Sequence, residues 1–365
     1  MHVIVNRSAL VEILGAATGV AATRTPKEIL KCVRLTTLDG ALMISATDLE
    51  VALRGEVRQV EIKKPGDLLI PADKLMSIAR ESVDETLVVE AGDDVCHIRG
   101  QDSHFEVYGH DPREFPPVPE LEGTPDFEIE ADVLNGLIEK TIFAVAKENT
   151  RYAINGVLWE KQGKKLALVA TDGRRLARAI GSGTASVGDD AKMIVPAKTV
   201  HVLQRILGHV EGKAAIRFSS NQVVVRVGAY VVSSALVEGQ FPQYEDVVPK
   251  DSDKSIELNV GELLSAVRRA ALLTNEQSKG VKLSFSKEKL ILSSRAPEQG
   301  EATISLKIDY QDAPLEMGFS PVFLIDALRV VSGPTVVLEL KEANRPGIVR
   351  EGQHYLYVVM PVNLS

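Results

Sequence analysis

The 365-residue chain holds only two cysteines, Cys32 and Cys96, and they form no Cys-x-x-Cys pair. That excludes a disulfide scaffold and a thiolate zinc site, and it fits a reducing compartment. The seven histidines are scattered, with no His-Glu-x-x-His and no His/Cys cluster, so no metal site is expected. A phosphate-cradling Walker-type loop is missing. So is a Gly-x-Gly-x-x-Gly after a strand: GSGTAS, starting at Gly181, lacks the third glycine. No Gly-x-Ser-x-Gly nucleophile elbow occurs either. The N-terminus opens like a secretion signal, but Arg7 and Glu12 break the apolar run. No stretch nears the ~20 apolar residues of a membrane span. These absences lead to the expectation of a cytoplasmic protein with no membrane partner, no cofactor and no metal.

What is present is an ordinary globular composition, 45% hydrophobic and 25% charged, in a chain long enough for two or three domains. The formal net charge of −8 lowers the expectation of a nucleic-acid partner. It does not say where the basic residues sit.

Internal repetition is the strongest signal. ISATDLEVALR, from Ile44, and LVATDGRRLAR, from Leu168, share Ala-Thr-Asp followed by Leu, Ala and Arg, about a third of the chain apart. In register with them, alternating Val3 and Val5 correspond to Phe127 and Ile129, and again to Ile256 and Leu258. Each pair precedes an amphipathic helical pattern: Leu10, Ile13, Leu14, Ala17; then Leu134, Leu137, Ile138, Thr141; then Leu263, Ala266, Val267, Ala270. Asn259 and Glu262 form a capping box in the third. A second helix per copy follows Pro71, Pro196 and Pro321, since proline costs least at a helix start. Alternating strand-like runs follow each. Pro-rich EFPPVPE and QFPQYEDVVPK close the first two copies as linkers. The fold class is therefore α+β, three tandem copies of a two-helix, roughly eight-strand unit, over 1–122, 126–250 and 254–365.

Asp172 beside Arg174 and Arg175 could serve an enzyme acting on a phosphorylated substrate. Its counterpart Asp48 lies in a copy without the arginines, so a structural Asp turn is the better reading for both. Gly173, Arg174 and Arg175 are then an addition to the ancestral unit. Lys198, His201 and Arg205 share one face of a predicted helix, and Lys74, Arg80, Lys140, Lys147, Arg268, Arg269 and Arg329 fall in other predicted helices. Helices turned to one side would give an acidic protein a basic, sequence-blind surface for phosphates.

Along its whole length the chain resembles the bacterial sliding clamps, the beta subunits of DNA polymerase III. The matching motifs are TDLE at Thr47, RYAINGVLWE at Arg151, VATDGRRLA at Val169, FPQYEDVVP at Phe241, PEQGEA at Pro297 and the terminal YVVMPVNLS. The resemblance implies a non-catalytic processivity factor: a head-to-tail homodimer whose six domains close into a ring around duplex DNA. Its implied partners are the replicative polymerase, a clamp loader and other replication and repair proteins that carry a short clamp-binding peptide. A monomeric interaction scaffold is the remaining rival.

The resemblance also assigns residues. Arg24 stands at a DNA-touching position of the family, and Lys147, Lys198, His201 and Arg205 join it as DNA-facing candidates. Phe105 and Lys74 of copy one would meet Leu272, Leu273 and Glu298 or Glu301 of the partner's third copy. The peptide pocket maps onto Ile154, Thr171, Gly173, Arg174, Arg175, Leu176, Pro242, Val247, Val358, Val359, Met360, Pro361, Val362 and Leu364. Such an aliphatic, Met-containing surface suits several partners. Burying on the order of 400 Å² of apolar area gives at most ~10 kcal/mol before ordering costs, which points to micromolar, exchangeable docking. Asp246 and Asn363 stand where some relatives have Arg, and Ala153 where some have Tyr.

Overall fold

The computed structural model describes residues 1–92, 95–121, 123–147, 152–274, 280–297 and 299–363. Six α-helices are present there: α1 (Arg7–Val20), α2 (Ala72–Glu81), α3 (Ala131–Glu139), α4 (Ala197–Leu207), α5 (Val260–Ala271) and α6 (Pro321–Arg329). They fall two to a copy, the first where the apolar periodicity and the second where the proline signals put them. Asn6 caps α1 by accepting from the Ala9 N–H, and Asn259 caps α5 by accepting from the Glu262 N–H, both at 3.0 Å. Pro71 is the cap of α2, Pro196 ends the strand before α4, and Pro321 opens α6. Nine, nine and eight strands lie in the three copies among the described residues, slightly more than expected in the first two.

Packing gathers the chain into two compact units rather than three: Met1–Asn135, Gly183–Asp189 and Lys198–Leu236, then Gly136–Ser182, Asp190–Ala197 and Val237–Ser365. The middle copy is shared between them, and the strand pairing shows how.

In the first unit a nine-stranded antiparallel sheet runs Ala185–Ser186, Phe127–Glu130, Lys213–Phe218, Gln222–Val227, Tyr230–Ala235, Val51–Val57, Ala41–Thr47, Cys32–Leu38, Asp67–Pro71. Its centre joins copies one and two, with Arg54 opposite Val231. A five-stranded sheet, Val60–Lys64, His2–Asn6, Thr86–Ala91, Val95–Arg99, His104–Tyr108, completes the unit. Helix α1 lies so close to Val51–Val57 that a Cβ on Gly55 would stand 2.4 Å from Ile13 Cγ2. Leu10, Leu14 and Ala17 of α1 are fully buried, as the sequence pattern required.

The second unit repeats the design. An eight-stranded sheet runs Ala191–Pro196, Gly156–Gln162, Lys165–Thr171, Arg175–Ser182, Tyr355–Val359, Gly347–Glu351, Thr335–Leu340, Lys254–Asn259. It joins copies two and three where Arg175 faces Val359 and Leu176 faces Val358. The four-stranded sheet is Gly300–Lys307, Lys289–Ala296, Val281–Ser286, Leu315–Phe319.

Two expectations change. The Pro-rich segments are pinned rather than loose: Phe115 and Val118 pack on Cys32 and Leu69, Leu121 on Ala215 and Val224, and Tyr244 is buried. Lys140 and Lys147 are not helical, because α3 stops at Glu139. The Thr141 hydroxyl bonds the Leu137 carbonyl at 2.8 Å and a 3-10 turn, Ile142–Ala144, takes over. Lys140 then pairs with Glu351 at 2.6 Å and is no part of a free basic stripe.

Candidate docking surface and nucleic-acid face

The repeated Thr-Asp motifs build the same turn twice. In copy two Asp172 Oδ1 accepts from the N–H groups of Arg174 and Arg175 at 2.9 and 3.1 Å, and the Thr171 hydroxyl donates to the Arg175 carbonyl at 2.6 Å. In copy one Asp48 Oδ1 accepts from Glu50 and Val51 at 3.0 and 2.8 Å, and Thr47 donates to the Val51 carbonyl at 3.0 Å. A side-chain oxygen tied to two backbone N–H groups is a turn device. It leaves no proton-transfer role for Asp172, and the enzyme reading has no support.

The two copies differ in the cation that meets the second carboxylate oxygen. Asp172 Oδ2 takes the Arg175 Nε at 3.0 Å, from within the turn, whereas Asp48 Oδ2 takes Lys198 Nζ at 2.5 Å, from α4.

Arg175 was expected in the pocket wall. It is 7% exposed and fully engaged: Nη1 donates to Asp326 at 2.7 Å, Nη2 to the Phe143 carbonyl at 2.7 Å, and the guanidinium lies 4.4 Å from the Phe323 ring centre and 5.4 Å from that of Phe143. Burial works against its charge, but Asp326, Tyr357 and Asp172 more than offset this and its pKa is raised. Strand alternation explains the placement: Arg175 and its partner Val359 share one face of the sheet, Leu176 and Val358 the other. Arg175 therefore shapes the turn from behind and offers no charge to a ligand. Val359 is likewise fully buried.

On the other face, Leu176 and Val358 pack with Leu158, Val169, Ile194, Tyr244, Ile348 and Leu356, flanked by Ala153, Val237, Phe241 and Val248. Of the other pocket candidates, Ile154 and Thr171 are buried, Gly173, Arg174, Pro242, Val247 and Met360 exposed, and Pro361 and Val362 half-buried. Met360 is 43% exposed and its N–H donates to the Arg174 carbonyl at 2.9 Å, so the C-terminal segment is stitched to the turn. Leu364 lies outside the described residues. Tyr244, Phe241 and Ile348 were not among the expected residues, although FPQYEDVVP carries the first two. Tyr244 donates to buried Glu160 at 2.6 Å, and Lys192 pairs with the same carboxylate at 2.6 Å, which holds the 237–250 segment beside the floor.

Of the DNA-facing candidates, Arg24, Lys147 and His201 are exposed. Lys198 and Arg205 are partly committed elsewhere. Lys198 also donates to the Val20 carbonyl at 2.9 Å, the end of α1 where the helix dipole is negative, and Arg205 donates to the Gly15 carbonyl at 2.7 Å. Together with His201, Val202, Ala16 and Gly19 they line a cleft of about 310 Å³.

Of the interface candidates, Phe105 (39% exposed) lies on His104–Tyr108, an edge strand of its sheet, and Leu272 is 77% exposed just past α5. A core role for Leu272 is excluded. Leu273 is half-buried, Lys74 is exposed near its neighbour Asp73, and Glu301 pairs with Arg295 at 3.1 Å. Glu298 lies outside the described residues. Cys32 and Cys96 are free and buried, and burial pushes both thiols up to about 12, far from reactive.

The chain is thus a threefold-repeated α+β protein whose Asp48 and Asp172 are spent on turns. Family models of the DNA polymerase III beta subunit match it in order: the N-terminal domain over residues 1–119, the central domain over 128–243 and the C-terminal domain over 245–363. The beta sliding clamp of Pseudomonas putida is 34% identical over the full length of both chains, and that of Escherichia coli K12 is 32% identical over the same extent. A sliding clamp from Pseudomonas aeruginosa bound to griselimycin superposes with a TM-score of 0.93 at 33% identity, and one from Bacillus subtilis with 0.94 at 26%, each covering all of both chains. The chain belongs to the family of DNA polymerase III beta subunits, the DNA sliding clamps, which are non-catalytic processivity factors.

Proposed function

We propose that two copies of this chain close head to tail into a ring around duplex DNA, and that the apolar floor beside Leu176 and Val358 tethers the replicative polymerase and other enzymes through short peptides. The observation that carries the ring is a pair of edge strands with exposed apolar neighbours. His104–Tyr108 bears Phe105 and Tyr108, and Gly300–Lys307 lies beside the end of α5, where Leu272 is exposed and Leu273 Cδ1 stands 3.7 Å from where a Cβ on Gly300 would be. Unpaired edges with apolar flanks seek a partner strand, and two different patches on one chain make a heterologous contact that closes by rotation.

Retention by topology needs only loose phosphate contacts. Arg24, Lys147 and His201 supply exposed candidates, and Lys198 and Arg205 keep donors beyond those spent on Val20 and Gly15. Docking on the floor is a matter of apolar anchors. Arg174, at the turn's tip, is the cation left for an acidic peptide residue. Tethering turns repeated encounters into an intramolecular event at high effective concentration. Among the described residues no helix is long and apolar enough to cross a membrane, and the cytoplasm, where the chromosome lies, is the compartment that this role requires.

The decisive experiment loads the protein on nicked circular DNA with a clamp loader, raises the salt, then linearises the circle. Retention on the circle and release from the linear form are expected. Equal loss from both in high salt would overturn the ring, because phosphate binding alone is salt-sensitive whatever the topology.

A further inference from the structure

Seven histidines scattered in the sequence are brought partly together by strand pairing. The hairpin of Val95–Arg99 and His104–Tyr108 sets His97 opposite Glu106, with His104 diagonal to His97 and two residues before Glu106 on the same strand face. His97 Nδ1 lies 3.1 Å from His104 Nε2 and 3.7 Å from Glu106 Oε1, and one ligand atom from each residue falls within 4.8 Å of the others. The two imidazole rings tilt toward each other at 35° with centres 5.3 Å apart.

We propose that His97, His104 and Glu106 form a surface site for a late first-row divalent cation, Zn²⁺ foremost. A tetrahedral Zn²⁺ with its ligands ~2.0–2.2 Å away holds neighbouring donors roughly 3.3 Å apart. The two measured separations bracket that value, and Glu106, exposed at the sheet edge, is free to close the third. Two imidazoles and one carboxylate suit Zn²⁺, Co²⁺ or Ni²⁺ and not the all-oxygen cations Mg²⁺ and Ca²⁺. Three protein donors leave a coordination position for water or another ligand.

The surroundings favour a cation. In register across four strands stand His2, Glu90, His97 and Glu106. Glu90, the neighbour of His97 on its inner side, is held ionised chiefly by its hydrogen bond from Arg99. Arg99, the nearby positive group on the hairpin, spends its charge on that carboxylate at 2.7 Å. All three ligands come from this hairpin, and His104 and Glu106 lie on the edge strand that the proposed ring would pair with the partner's third copy.

The test uses the full chain without a histidine tag, stripped of metal by chelation. Co²⁺ is titrated by visible absorption and Zn²⁺ by calorimetry, on the parent and on His97→Ala, His104→Ala, Glu106→Gln and His354→Ala. One ion per chain is expected, with absorption bands of a low-coordinate Co²⁺. Either histidine change should weaken Zn²⁺ binding by at least ~10-fold, because even outer supports of a metal site cost that much. Glu106→Gln should weaken it less, and His354→Ala, in a turn of the other compact unit, should leave it unchanged. Circular dichroism of each variant separates lost binding from lost fold. Parent-like Zn²⁺ affinity in both folded His97 and His104 variants, or no binding to the parent, overturns the site.

Discussion

Leu49 and Gly173 occupy the same corner of the same turn, with φ of 81° and 85°. Each N–H donates to the hydroxyl of the preceding Thr, at 3.0 Å from Leu49 and 3.1 Å from Gly173. Copy two satisfies that backbone with a glycine, while copy one holds a leucine in a conformation costing about 1–2 kcal/mol. Leu49→Gly is expected to raise stability by roughly 0.5–1 kcal/mol, the strain relieved less the added freedom of the unfolded chain. Gly173→Ala should lower it by about 1 kcal/mol through conformation alone, since a Cβ there meets nothing within 4 Å. Denaturant midpoints of the two variants should move in opposite directions.

Arg175 joins Asp172 and Asp326 beneath the turn. Its loss leaves two carboxylates without their cation, so Arg175→Ala should cost about 3–5 kcal/mol. Arg175→Lys should recover little, because one ammonium cannot serve Asp172, Asp326 and the Phe143 carbonyl and also stack on two rings. Thermal unfolding of both variants checks this; a lysine variant as stable as the parent would show that the planar fork is dispensable.

Glu351 sits in a cradle formed by Lys140 and the N–H groups of Ser332 and Gly333, at 2.6–2.8 Å. Burial pushes its pKa up, but these donors outweigh it and the folded-state value lies below the ordinary 4.5. A depressed carboxylate contributes stability that is complete above the unfolded pKa and is lost as pH falls through the folded one. Glu351→Gln should therefore cost roughly 1.5–3 kcal/mol at pH 7. The gap from the parent should shrink as pH drops below 4.5. Urea titrations at several pH values measure it, and a gap constant with pH would remove the carboxylate from the account.

Met360 is exposed and follows directly on Val358 and Val359 of the strand that pairs with Arg175 and Leu176, and the proposed peptide docking would cover it. Met360→Ala should weaken a short clamp-binding peptide of the replicative polymerase about tenfold, the worth of ~1.5 kcal/mol of apolar burial. Melting temperature should change far less than affinity, since Met360 is already 43% exposed in the free protein. Unchanged affinity by fluorescence anisotropy would move the docking site elsewhere.

Much of the architecture was legible in the sequence because its causes are local. Apolar spacing set the first helix of each copy, proline marked the start of the second, and Thr-Asp spelled both turns. The outcome for Arg175 was not legible, because its partners Asp326 and Phe323 arrive from another copy and only the sheet's pleat decides which face it takes. The same is true of His97 and His104, whose adjacency needs the hairpin register. Lys198 looked like one member of a basic stripe, but its carbonyl and carboxylate partners on Val20 and Asp48 are distant in sequence. The sharing of the middle copy between two units was equally hidden, since strand pairing between copies leaves no periodic trace.

That pairing has a consequence for synthesis. Val51–Val57 completes its sheet only beside Tyr230–Ala235, and Arg175–Ser182 only beside Tyr355–Val359. A growing chain must therefore carry an open sheet edge in its first copy until the end of the second has left the ribosome, and another until the chain is nearly finished. Long-range pairings form slowly and leave such edges open to wrong partners. Termination after any single copy strands one of these edges, so a truncated product should associate or be degraded rather than persist as a working third of the protein.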